Sequence, residues 1–234
     1  MVMDYTDYWK DNWESRERRG YYDRLYRDVK DRLTVPVGAK VLDVGGGDGH
    51  LMHYFGIKDA EILDISDSGI ESARSRGYCA FKGDLQKPFP LMADSYDVAF
   101  CFEVLEHLHA PEIPISETFK VLKPGGVLYV GQPNMRADGV HHVRRFYKKD
   151  IVDLLTQFGF AIEWIDYVPG FIVREAIADD IKRSSSWFRK IKQTVALGIS
   201  LFPRGVLGFL ARLIPDRFCL IFVIRAVKKT TPNV

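Results

Sequence analysis

"VLDVGGGDGH", residues 41–50, is the stretch on which the fold turns. A short apolar run carrying one acid, Asp43, passes into Gly45, Gly46, Gly47 and Gly49. Glycine lets the backbone approach a ligand closely, and a helix start just beyond offers unpaired N–H groups. A strand ending in an acid, then glycines, then a helix start is therefore a nucleotide-binding turn. A dinucleotide turn wants G-x-G-x-x-G, with the third glycine for helix packing. Gly45 and Gly47 fill the first two places, but His50 stands in the third, which disfavours a dehydrogenase. The pattern present is D-x-G-x-G-x-G: Asp43, Gly45, Gly47, Gly49. It offers a phosphate no lysine or arginine, and an acid at its head suits a ligand presenting an ammonium group.

Outward from this loop, short apolar runs recur at 40–44, 60–64, 78–82, 97–102, 126–131, 160–167 and 218–227. Stretches able to form helices separate most of them. That alternation predicts an α/β fold, a parallel sheet with helices on both faces, and the near-continuous apolar middle runs suit strands buried on both sides. The chain of 234 residues is 47% hydrophobic and 27% charged, which fits one α/β domain with an appendage. Its formal charge of +2 demands neither nucleic acid nor membrane. Cys79, Cys101 and Cys219 form no zinc spacing, and an odd count argues against a disulfide framework. The charged, aromatic start of the chain lacks the apolar core of a signal peptide, so a cytoplasmic, reducing compartment is expected.

Four segments follow. Residues 1–35 read as a helical cap, 36–169 as the ligand-binding core, 170–216 as a basic amphipathic helical insertion, and 217–234 as the final core strand and tail. The insertion is where the strand spacing breaks. Residues 182–217 hold eight basic side chains and the single acid Asp216, so this segment carries +7 and the remainder −5. Its longest uncharged run, 193–203, falls short of the roughly 20 residues a membrane span needs. It reads first as a lid over a substrate pocket. An interfacial helix pair on anionic lipid and a dimer surface are the alternatives. Nucleic acid is disfavoured, because the basic residues alternate with aliphatics more than with stacking aromatics.

The glycine loop, with three further motifs in register, resembles the class I S-adenosylmethionine-dependent methyltransferases, of the type that includes ubiquinone and menaquinone biosynthesis enzymes. The resemblance covers about residues 38–167 and the last strand. It rests on Asp64, 21 residues after Asp43, on Gly83-Asp84-Leu85, on "DVAFCFEVLEH" (97–107) and on "VLKPGGVLYV" (121–130). It implies a three-layer, Rossmann-like, seven-stranded sheet, mostly parallel with an antiparallel last strand. It also implies S-adenosylmethionine as cofactor and S-adenosylhomocysteine as product. Asp43, Gly45, Gly47 and Gly49 would then form the cofactor loop. Asp64, followed by Ile65, would hold the ribose hydroxyls, Asp84 the adenine amino group with Leu85 packing the ring, and Phe102 and Glu103 the exit of the fourth strand. Gly46 departs from the cysteine or serine frequent at its place, and Gly56 curtails the first helix.

The acceptor is less constrained. The fourth strand exits into Phe102-Glu103-Val104, not the Asn/Asp-Pro-Pro-aromatic loop used for exocyclic base amines, and no Pro-Cys pair offers the cytosine-carbon nucleophile. Transfer to a hydroxyl, or secondarily to an amine, of a small metabolite, lipid-linked intermediate or sugar is expected. A hydroxyl benefits from a general base. "GVHHVRRFYKKDIVDLLTQFGF" (139–160) resembles the family's segment after the fifth strand and makes His142 the first candidate base, His107 the second. Arg144 and Arg145 are candidates for an acidic substrate group. The run Glu103-x-x-Glu106-His107 with a later histidine also resembles the magnesium site of small-RNA 2′-O-methyltransferases and of some ubiquinone-pathway O-methyltransferases; no metal is assigned on it. RNA 2′-O-methylation and a non-catalytic cofactor-binding protein stand as alternatives. The expected partners are the acceptor itself and a membrane surface met peripherally through 182–217, with the chain a monomer or homodimer.

Overall fold

The computed structural model describes residues 26–27, 29–134, 142–169, 206, 209, 212–213 and 219–230. Most of the helical cap (1–35) and of the insertion (170–216) therefore lies outside the described residues, as does His141.

Seven strands form one sheet: β1 Val41–Val44, β2 Ala60–Asp64, β3 Cys79–Lys82, β4 Tyr96–Phe102, β5 Leu122–Pro133, β6 Phe160–Pro169 and β7 Cys219–Lys228, in the order β3-β2-β1-β4-β5-β7-β6. The first five strands pair in parallel, and β7 runs antiparallel to both neighbours, β5 and β6. Among the described residues, α1 His50–Phe55, α2 Asp67–Ser75, α3 Glu112–Val121 and α4 Lys148–Gln157 connect strands of the sheet, with a 3₁₀ turn at Leu105–His107.

Alternation along the strands splits the core into two layers. Leu42, Val44 and Leu63 face one side, where Ile115 of α3 and Ile151 and Leu155 of α4 cover them. Val41 and Ile62 face the other, under Met52 of α1, Ile70 and Ala73 of α2, and Tyr26 and Val29 of the N-terminal region. The four residues of β1 are all buried, as a central parallel strand requires. The helix ends follow their sequence. Gly56, at φ 77°, stops α1 after six residues, as its position predicts. Ser66 caps α2 by accepting the Gly69 N–H at 3.1 Å. The Asp150 carboxylate accepts the Tyr147 N–H at 2.8 Å at the start of α4.

The strands fall where the apolar runs stand, except that β5 begins four residues before its run. Leu122 pairs with Tyr96 while Val127 pairs with Val98, so the intervening residues bulge from the ladder. Among the described residues no helix is long and apolar enough to cross a membrane. Between β1 and β4 the strand order reverses: β1 leads out to β2 on one side, and β4 leads to β5 on the other. Loops leaving adjacent carboxyl ends at such a point diverge and leave a crevice.

Candidate active site

The loop after β1 is shaped by glycines in the left-handed region: Gly45 at φ 74°, Gly47 at φ 53° and Gly49 at φ 74°. Gly45 is also needed for space, since a Cβ there would lie 2.6 Å from Val104 Cγ2 and 3.3 Å from Leu85 Cδ1. Gly45→Ala is therefore expected to destabilise the fold by about 2–4 kcal/mol, combining left-handed strain with overpacking. Thermal unfolding of the variant measures this, and a melting temperature equal to that of the wild type would refute the close packing of loop against β4 exit.

Asp43, the third residue of β1, has only 2% of its surface exposed, and its Oδ2 makes no hydrogen bond. Burial, with Asp64 and Asp48 nearby, pushes its carboxyl up to about 8. A buried acid is strongly disfavoured in its charged form unless a cation meets it. Asp43 does not cap the loop. Instead its carboxylate lies against Gly46, where a Cβ would come 2.3 Å from Oδ2, so glycine suits a place where relatives of this type often carry cysteine or serine.

Asp64 joins the first two loops. Its Oδ2 accepts the Gly47 N–H at 2.9 Å and its Oδ1 accepts the Ser66 N–H at 2.8 Å. Burial raises its carboxyl, and those N–H groups act in the opposite direction. Each oxygen retains a lone pair for a further donor. Ile65 beside it is an exposed apolar side chain. Asp84, beyond β3, accepts the Gln86 N–H at 2.9 Å, and Lys87 Nζ lies 3.3 Å from its other oxygen. Leu85 is buried against the Gly45 loop. Phe102 ends β4 with its ring over Gly131, and Glu103 follows at φ 55°. The glycine loop and the three acids thus sit at the carboxyl ends of β1, β2 and β3, with Glu103 at the end of β4.

A second cluster lies just beyond. The His107 and His142 rings meet edge to face with centroids 4.9 Å apart. Glu106 Oε1 is 3.9 Å from His107 Nε2 and 4.0 Å from His142 Nε2. Glu106 Oε2 accepts Gln132 Nε2 at 3.2 Å from the end of β5. The Glu106 carbonyl accepts the N–H groups of Val143 (2.8 Å) and Arg144 (3.2 Å), which brings the segment carrying His142 onto the β4 exit. Arg144 also donates to the His109 carbonyl at 2.5 Å, and Arg145 is exposed. The structure therefore brings both candidate bases together.

Donor atoms of Glu106, His107 and His142 lie within 4.8 Å of one another, a set with one carboxylate and two imidazoles that could hold a divalent cation. Glu103, the remaining member of the sequence pattern, instead accepts the Tyr26 hydroxyl. Sequence reasoning missed Tyr26 and Gln132. A glutamine ending an otherwise apolar strand was a usable signal for Gln132. One tyrosine among many at the start of the chain was none for Tyr26.

Glycine loop and sheet order together define the class I methyltransferase architecture, and the comparisons agree. The family described as Methyltransferase domain matches residues 16–164. The chain belongs to that family, in its class I S-adenosylmethionine-dependent form. A ubiquinone biosynthesis O-methyltransferase from Psychrobacter cryohalolentis is 30% identical over 135 residues, covering 53% of this chain and 51% of the relative. The chain thus spans about half the length of such curated relatives. Two solved structures share the fold. One is the methyltransferase in complex with the Haloferax volcanii Trm112 methyltransferase activator (TM-score 0.70, 19% identity, all of both chains). The other is the [4+2]-cyclase SpnF (TM-score 0.62, 19% identity, 89% of this chain and 82% of that one). Two reactions on one fold show that the architecture alone does not fix the chemistry.

Proposed function

We propose that this protein transfers the methyl group of S-adenosylmethionine to a hydroxyl of a small metabolite, a lipid-linked intermediate or a sugar. The observation that carries the proposal is the His107–His142 pair with Glu106 behind it, placed beside the exit of β4. The cofactor fits the residues present: a buried Asp43 oxygen without a partner answers its ammonium group, beside a loop held in the left-handed region by Gly45, Gly47 and Gly49. When bound, it supplies a methyl group already activated on a sulfonium. The chain then has to orient an acceptor, exclude water and take up a proton.

In this reading Asp43 and the glycine loop hold the methionine portion, Asp64 the ribose and Asp84 the adenine. His142 accepts the acceptor's proton on its imidazole, directly or through its neighbour His107. Glu106 fixes the two rings and compensates the positive charge that develops on them. A hydroxyl is favoured over an amine because only the hydroxyl gains substantially from such a base. The name of the O-methyltransferase relative supports this choice. A lipid-linked acceptor is supported by Val206, Phe209 and Leu213, helical and exposed at spacings of three and four, near Arg212, which lies 3.7 Å from Asp166. RNA 2′-O-methylation is the second reading, favoured by the Glu106–His107–His142 donor set, and magnesium dependence together with RNA binding distinguishes it.

The first test is calorimetric titration with S-adenosylmethionine, S-adenosylhomocysteine and NAD, each with and without magnesium, followed by a methyl-transfer screen of hydroxyl acceptors. Binding of NAD and neither of the others would sink the proposal. In the screen, His142→Ala is expected to slow turnover by about 10²–10⁴-fold while S-adenosylhomocysteine affinity stays within about threefold. Parallel losses in both would make His142 structural.

A further inference from the structure

Tyr26 is fully buried, yet its side chain ends in a polar group. Its ring stands edge-on to Phe102 at 5.4 Å and to Phe55 at 5.9 Å. Its hydroxyl donates to Glu103 Oε1, 77 residues further along the chain. A buried phenol needs an acceptor, and the ring packing alone does not require that the acceptor be this carboxylate.

Glu103 itself is unusual. Among the described residues only Asp94 and Glu103 take positive φ without being glycine. A left-handed glutamate persists only where its surroundings hold it, and such residues gather at functional sites. Its backbone and its side chain are both tied to other elements. Its N–H donates to the Gly131 carbonyl at 2.8 Å, and its side chain accepts from Tyr26. The turn made at Glu103 sets the position of Val104, whose methyl groups pack against Gly45 so closely that no Cβ fits between them. A continuous path thus runs from Tyr26 through Glu103 and Val104 to the glycine loop.

We infer that Tyr26 is a positioning residue: its hydroxyl holds Glu103, and through the turn at Val104 it fixes the wall of the pocket that receives the methionine portion of the cofactor. The inference rests on the reading that the loop after β1 takes that portion. It makes the N-terminal region part of the cofactor site. The effect is local to one end of the ligand. Asp64 and Asp84, which would hold the adenosine end, lie at the ends of β2 and β3, on the opposite side of β1 from β4.

The experiment uses the whole chain and two ligands, S-adenosylhomocysteine and 5′-methylthioadenosine, which lacks the amino-acid portion. Tyr26→Phe keeps the ring and removes the hydroxyl. It is expected to weaken S-adenosylhomocysteine by about 5–20-fold, on the order of one hydrogen bond to a charged group, and 5′-methylthioadenosine by less than about twofold. Glu103→Ala removes the other partner, and adding Tyr26→Phe to it should cost nothing more. Glu103→Gln keeps an acceptor oxygen and should retain sensitivity to Tyr26→Phe. Equal losses for both ligands, an unchanged S-adenosylhomocysteine affinity, or fully additive losses in the double variant would each overturn the positioning role alone. Failure of the wild type to bind S-adenosylhomocysteine would overturn the functional reading and this inference with it.

Discussion

Asp43→Asn is expected to make the ligand-free protein more stable at pH 8 while weakening S-adenosylmethionine binding by about 10–100-fold. The two effects have one origin. An unfolded aspartate titrates near 3.8, whereas in the folded protein burial, Asp64 and Asp48 push Asp43 up to about 8. Between those values the folded state keeps a proton that the unfolded state has released. The favourable contribution is therefore complete below about pH 4 and is lost progressively as pH rises towards 8, at about 1.4 kcal/mol per unit for this one group. Asparagine has the same shape and no charge, so its variant lacks that slope. Melting temperatures from pH 5 to 8 should fall more steeply for the wild type, and parallel curves would show that Asp43 is not held protonated. The cofactor's ammonium group reverses the preference, because an ionised carboxylate then meets a cation. A hydrogen bond to a charged group contributes about 1.5–3 kcal/mol, which sets the 10–100-fold loss. The same linkage requires binding at pH 7 to release up to one proton. Calorimetry in two buffers of different ionisation enthalpy counts it, and a count of zero contradicts the assignment.

Asp64→Ala is expected to lower cofactor affinity by at least about 100-fold, roughly two charged hydrogen bonds' worth, and to destabilise the ligand-free protein as well. The second effect follows from the contacts of Asp64 without ligand. Both oxygens accept backbone N–H groups, of Gly47 and Ser66, and alanine leaves those buried donors unpaired. At about 1–3 kcal/mol each, this is a loss of several kcal/mol. Removing one negative neighbour of Asp43 offsets part of it. Asp64→Asn keeps an oxygen for one N–H and should recover part of the stability. Its amide still presents only one acceptor to a diol, so affinity should remain low. Titration and thermal unfolding of both variants separate the two roles, and full affinity in Asp64→Ala would remove Asp64 from the ribose site.

These contacts show how far the sequence could be read. The glycine loop was legible because its residues lie within one turn of chain and each answers a local demand: positive φ at Gly45, Gly47 and Gly49, and space at Gly45. The strands were legible because apolar runs stand between turn residues. The early start of β5 was not, since Lys123-Pro124-Gly125 reads as a plain turn, and Leu122 joins the sheet only across a bulge opposite Tyr96. His107 and His142 were found separately through their motifs. Their meeting depends on Glu106 accepting the Val143 and Arg144 N–H groups across the fold, which no local pattern encodes. The partnership of Tyr26 with Glu103 is still less local, and it was missed.

The placement of β7 bears on how the chain is made. Among the described strands β6 touches the sheet only through β7, and β7 begins fifty residues after β6 ends. At synthesis rates of about 5–20 residues per second, roughly 3–10 seconds separate the emergence of the two. For that interval the nascent chain presents β5 as an open edge bearing Leu128, Tyr129 and Val130, an edge prone to pair with other chains. The four strands that would carry the cofactor loops have by then left the ribosome. A pocket able to bind a small ligand during translation could thus form before the sheet is closed, and the ligand's presence would then favour the half-built domain over its aggregates.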